Sequence, residues 1–199
     1  MTDATLVMTK LDAVNQMLSS IGQSPINTLS GTLPKDATKA ILSLDTVQRE
    51  VLNAGWSFNT DNEYELTPDG NDNILIPSNA MFVDPTYGSK DYVMRWESGT
   101  AKLYNRDDHT FVIIEPVKCD IIWAYAFENV PQHARNYVYT RAARIFQTQI
   151  VGSQILFQYT AQIEADAWAL FKRMEKRSKR YNINAYDPTV HRAFNPPRY

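Results

Sequence analysis

Between Pro131 and Arg180 the chain carries two long helical patterns divided by one glycine, Gly152, and two such helices joined by so short a link must fold back on each other. In the first pattern Ala134, Val138, Ala142, Ile145 and Gln149 recur at helical spacing. In the second, Leu156, Tyr159, Ile163, Leu170 and Met174 fall near one stripe, which reads as its packing side, while Glu164, Lys172, Arg173 and Lys176 fall off it. The rest of the chain is expected to pack on this hairpin or hang from it.

The same stretch opens the net-positive part of the chain. Residues 1–130 have 9 Lys/Arg against 18 Asp/Glu, a net of −9, and residues 131–199 have 11 against 4, a net of +7, so the formal −2 conceals two opposite poles. The 199 residues, 44% of them hydrophobic, suffice for one core or one core with an insertion. One cysteine, Cys119, allows neither an internal disulfide nor a thiolate metal cluster and is expected to be a buried core thiol. No run approaches the ~18 apolar residues that span a bilayer, and no basic leader opens the chain, so membrane insertion is not expected.

From Leu6 to Ile21 the residues Val7, Leu11, Val14, Leu18 and Ile21 step by threes and fours, with Gly22 and Pro25 as stop signals. Ile26, Leu29 and Leu33 should pin the following turn-rich loop onto the helices. A second helix is predicted over about Lys35 to Asn53, with Ala37, Ile41, Leu44, Val47, Val51 and Leu52 inward and Gly55 in the left-handed position beyond it. Then the period changes. Trp56 and Phe58, then Tyr64 and Leu66, alternate with polar residues, and Pro68-Asp69-Gly70 before Ile74-Leu75-Ile76 predicts a hairpin. Further strands are expected over Tyr92 to Trp96, Lys102 to Asn105, Phe111 to Glu115 and Cys119 to Tyr125, with turns at Gly88, Ser98-Gly99 and Asp107-Asp108. The expected fold is α+β: a four-helix bundle (1–55 and 129–180), an inserted antiparallel β-region (56–128) and an extended tail (181–199) rich in Asn, Pro and Tyr.

Catalytic signals are weak. There is no G-x-S-x-G elbow, no phosphate loop and no dinucleotide fingerprint, and His109, His133 and His191 lack metal-ligand spacing, so no catalytic residue, metal or cofactor is expected. Glu63 with Glu65, and Asp107 with Asp108, are the carboxylate pairs that glycoside hydrolysis would want, but strand-edge and turn chemistry explain them better. The run Lys172, Arg173, Lys176, Arg177, Lys179, Arg180, offset only by Glu175, exceeds what a helix C-terminus needs. Beside Tyr181, Tyr186, Phe194 and Tyr199 it suits a groove on a protein partner.

Two motifs narrow the reading. The segment from Leu11 to Leu29, with Val14-Asn15, Leu18 and Ser20-Ile21-Gly22 ahead of Pro25, and then Gly55-Trp56-Ser57-Phe58-Asn59, resembles the tail tubular protein A family, the head-to-tail adaptors or gatekeepers of short-tailed bacteriophages. The likeness covers the first third by motif and the remainder by order of elements. It implies a structural virion-tail protein, made in the host cytoplasm, that forms a dodecameric ring between the portal and the tail nozzle protein and lets genomic DNA through without sequence readout. Under it Arg177, Lys179, Arg180, Tyr181, Tyr186 and Phe194 are expected to meet the portal. The alternative is a tail component that also hydrolyses envelope polysaccharide. The motif residues themselves read as scaffold: a core, a helix cap, and a turn into strand.

Overall fold

The computed structural model describes residues 7–86 and 90–178, so the expected tail and the turn at Gly88 lie outside the described residues. The architecture is four helices with a small antiparallel β-region, an α+β arrangement. Helix α1 (Lys10–Ser20) starts later than its hydrophobic pattern because Thr9 takes the N-cap: its hydroxyl accepts the Asp12 amide at 3.1 Å and the Asp12 carboxylate accepts the Thr9 amide at 2.9 Å. Its end is closed by Gly22 at φ 76°, where the amides of Gly22 and Gln23 donate to Ser19 and Leu18 at 3.0 Å each. Asn15 then holds the following loop, giving its amide to the Ile26 carbonyl (2.9 Å) and accepting the Ile26 N–H (2.8 Å). Ile26, Leu29 and Leu33 pack on the helices as expected.

Helix α2 (Lys35–Asn53) buries Ala37, Leu44, Val47, Val51 and Leu52, and half-buries Ile41. Helix α3 (Gln132–Ile150) packs across α1 and α2, and α4 (Gln154–Ser178) lies along α3. The four-helix expectation is met in number, with α4 attached chiefly through α3. Pro131 is the N-cap residue, one position before the first turn. Arg135 is nearly buried and bonds three carbonyls, those of Met8, Glu128 and Val130, which sews the entries of α1 and α3 together.

The β-region departs from its expected pairing. Strand β1 (Thr60–Leu66) pairs not with residues 74–76 but with β5 (Val117–Trp123), which sits between β1 and β2 (Ala80–Pro85) in an antiparallel sheet ordered β1-β5-β2. The turn at Asp69 does form, closed by the Asp69 amide on the Asn73 carbonyl at 2.8 Å, but the Ile74-Ile76 run lies along β4 (Thr100–Asn105). There the Leu103 amide donates to Ile74 at 3.0 Å and the Ile76 amide to Ala101 at 2.9 Å. β4 also forms a hairpin with β3 (Tyr92–Glu97) over the two-residue loop Ser98-Gly99, whose φ values of 49° and 81° suit the twist of paired strands. Residues 111–115 make only bridges, with the Ile113 amide on Asp72 at 2.7 Å, and Trp56 and Phe58 lie in a turn rather than a strand. β2 went unread because its sequence ends in Pro85 and buries only Val83. A second hydrophobic cluster, around Ile74, Leu103, Cys119, Ile121 and Trp123, fills this region apart from the helical core.

The joint between the two clusters is the turn after α2. Gly55 sits at φ 70°, and a Cβ there would come within 2.9 Å of Ile122. Asn59 is fully buried: its Oδ1 accepts the Trp56 amide at 2.8 Å and its Nδ2 donates at 2.9 Å to the carbonyls of both Leu52 and Trp123. One side chain thus satisfies the last turn of α2 and the end of β5 together.

Asn59→Ala removes the acceptor of the part-buried Trp56 amide and a donor from the carbonyls of Leu52, which keeps the Gly55 amide at 3.1 Å, and Trp123, and is expected to destabilise the protein by about 2–4 kcal/mol in denaturant titration; a loss under about 1 kcal/mol would show that the joint is held elsewhere. Cys119, with a thiol that burial pushes up to about 11, is expected to resist alkylation at pH 8 until the protein unfolds, and rapid native-state labelling would contradict its placement.

Candidate interaction surface

Helix α4 has two apolar sides, and only one is covered. The covered side carries Ala167 and Phe171, with Trp168 half-buried beside them. Phe171 lies 4.4 Å from Trp56 and stacks on Tyr137 at 5.7 Å, and Trp168 meets Tyr137 at 4.8 Å and the edge of Trp56 at 5.7 Å, centroid to centroid. Two carboxylates lie on this side as well. Glu175 is buried and accepts the Ser57 amide and hydroxyl at 3.0 Å each, while Glu164 pairs with Arg144, whose guanidinium stands 5.1 Å over Phe157.

This corrects the sequence reading of α4. The stripe taken as its packing side is the exposed one: Leu156 is 36% exposed, Ile163 42%, Leu170 43% and Tyr159 68%, with only Met174 half-buried. It lies about a quarter-turn round the helix from the Ala167-Phe171 side. The Glu164 side faces α3 instead, because Arg144 and Ser57 supply each carboxylate with its own donors and the aromatic cluster fills the space between. On α3 the expected set is inward at Ala134, Val138 and Ala142, half-buried at Ile145 and exposed at Gln149. A clue was available in the spacing: Leu156, Ile163 and Leu170 repeat every seven residues, the register of a seam between helices.

The exposed stripe runs into the basic end. Lys172, Arg173, Lys176 and Arg177 are all exposed and, among the described residues, none has an ion-pair partner. Glu175, expected to offset them, is turned inward onto Ser57. Lys172 lies 5.5 Å above the Trp168 ring, and Lys176 and Arg177 occupy the last turn, where cations suit the helix dipole. Of the expected portal-binding set only Arg177 is placed; Lys179, Arg180, Tyr181, Tyr186 and Phe194 lie outside the described residues.

The other sequence candidates occupy local roles. Glu63 stands in the β1 bulge at φ 52° and faces Lys118 at 3.5 Å, with Glu65 opposite the same lysine. Asp107 accepts the Asp91 amide at 2.8 Å, and Asp108 binds Lys90 at 3.0 Å and Asn105 at 2.7 Å. His109 sits in that turn at φ 54°. His133 is half-buried against Phe171, and burial holds its pKa below the ordinary imidazole range; His191 lies outside the described residues. Among the described residues no three His, Cys, Asp or Glu gather as metal ligands, and no helix is long and apolar enough to cross a membrane.

The two sides of α4 should separate cleanly in stability measurements: Phe171→Ala is expected to cost about 3–5 kcal/mol and Ile163→Ser within about 0.5 kcal/mol. Comparable losses from both would mean that the stripe is packed within the chain.

Known proteins point the same way as the motifs. Residues 11–181 match the family described as tail tubular protein. The chain is also 29% identical to tail tubular protein A of Klebsiella phage KP34 over 164 residues, covering 79% of this chain and 82% of that protein. A match that takes in both helical segments, the β-region and the exposed α4 stripe shows that this chain belongs to the tail tubular protein family, structural components of the phage tail.

Proposed function

We propose that within the tail this chain is the head-to-tail adaptor: a ring of copies between portal and tail nozzle protein, with the genome passing through its lumen during ejection. The observation that carries this reading is the stripe of Leu156, Tyr159, Ile163 and Leu170, a row of large apolar side chains along one helix that is left in water beside the helical core. Its seven-residue repeat suits a helical surface of another protein molecule rather than a small ligand. The four cations at its end, without an ion-pair partner among the described residues, supply a second, polar contact, so one subunit presents two different surfaces, as a repeating ring contact and a separate portal contact require. The chemistry is structural rather than catalytic, since the candidate carboxylates are engaged in strand and turn contacts. DNA passage in this reading needs only a channel without base-edge contacts.

Mixing the purified full chain with its portal protein and imaging by electron microscopy tests the proposal; a ring docked on the portal is expected. Removing residues 182–199, or Arg173→Glu with Arg177→Glu, is expected to abolish docking or weaken it at least tenfold. DNA binding should be weak and vanish by about 0.2 M salt. An unmodified chain that ignores the portal, or binds one DNA sequence tightly at that salt, would overturn the adaptor reading.

A further inference from the structure

Resting on the ring reading, we propose which surfaces meet between neighbouring copies: the α4 stripe of one copy seats in the groove between α2 and α3 of the next. That groove has a volume of about 250 Å³ and is lined by Lys39, Leu42, Thr46 and Glu50 on α2 and by Ile145 and Gln149 on α3. Leu42 at its centre is 62% exposed although it lies on an otherwise well-packed helix. A seam of large side chains meeting a furrow between two helices is the ordinary geometry of helix packing.

The two patches also lie at one height along the helices. Ile145, on the groove wall, directly follows Arg144, which pairs with Glu164 on α4, next to Ile163 in the stripe. One turn back on α3, Arg141 pairs with Glu50, also on the groove wall. Around an axis along the helices, a ring closes only by rotation without rise, so surfaces that meet must share a height. Stripe and groove satisfy that condition on different flanks of one subunit.

Charge favours the same pairing. A stripe-to-stripe contact does worse: it closes a pair instead of a ring, and with parallel helices it sets one basic end against another.

The test uses portal-bound assemblies of the full chain carrying Leu42→Cys together with Ile163→Cys, treated with a short bis-maleimide and run on a denaturing gel. Cys119 is buried and silent, and both substituted positions are exposed. A ladder of three or more covalent copies is expected from the double variant and none from either single variant; Lys39→Cys with Tyr159→Cys is expected to repeat the result one turn away. Covalent pairs from Ile163→Cys alone would show stripe meeting stripe and overturn the proposal. So would the absence of a ladder from both double variants in assemblies that hold several copies, which leaves the ring reading standing. One copy per portal would remove the ring reading itself, and this contact with it.

Discussion

The structure depends on how the backbone is satisfied where α2 ends. A helix leaves its last carbonyls open, and here the chain must leave the helix, turn sharply and enter a sheet, so any open group would be buried between two cores. Asn59 resolves this with three hydrogen bonds: it takes the Trp56 amide and gives its own amide to Leu52 and Trp123. The Trp56 indole closes one more carbonyl, that of Val51, at 2.7 Å, and its ring becomes the platform for Phe171 and Trp168 of α4. Ser57, between them, holds Glu175. The five residues from Gly55 to Asn59 therefore position α2, β5 and α4 at once, which gives a physical reason for the Gly-Trp-Ser-Phe-Asn run at this point of the chain.

That joint also decides which side of α4 is free. With Phe171, Trp168 and Glu175 drawn onto Trp56 and Ser57, and Glu164 onto Arg144, the helix is fixed in rotation by aromatic packing and two carboxylate contacts. Leu156, Ile163 and Leu170 are then turned away from α3. Rotating α4 to cover them would strand both carboxylates without donors, a loss of several kcal/mol that the gain from burying three aliphatic side chains does not clearly exceed. The exposed stripe is thus a consequence of internal contacts, not of loose packing.

Local signals explain what could be read from the sequence. α1, α2 and α3, the cap at Gly22, the left-handed Gly55 and the β3–β4 turn all follow from caps, periodicity and turn residues within a few positions of one another. The sheet was not legible in the same way: β1 and β5 are more than fifty residues apart, and nothing near Leu66 says that its partner is Val117 rather than Ile74. The α4 side was misread for a related reason. Hydrophobicity marks Leu156 and Ile163 as inward and Glu164 and Glu175 as outward, and only the distant Arg144 and Ser57 reverse that order. On α4 the failure of patterning coincides with the surface proposed above to meet a neighbouring copy.

Magnitudes suggest why such a stripe can remain exposed in a well-behaved chain. Leu156, Tyr159, Ile163 and Leu170 are already partly covered, so burying what remains is worth about 1 kcal/mol each. Their sum is of the order of the free energy lost when two molecules give up independent motion, ~4–15 kcal/mol. A single stripe contact is accordingly weak between isolated copies, and the basic end adds only about 1 kcal/mol or less per rim charge. In the proposed ring the balance changes. A copy already held on the portal has lost most of its freedom, so its lateral contact is opposed by little further loss, and the copy that closes the circle makes two lateral contacts while being ordered once. Assembly by this route is governed by the template rather than by concentration, and a surface too weak to aggregate free chains is strong enough to complete a ring.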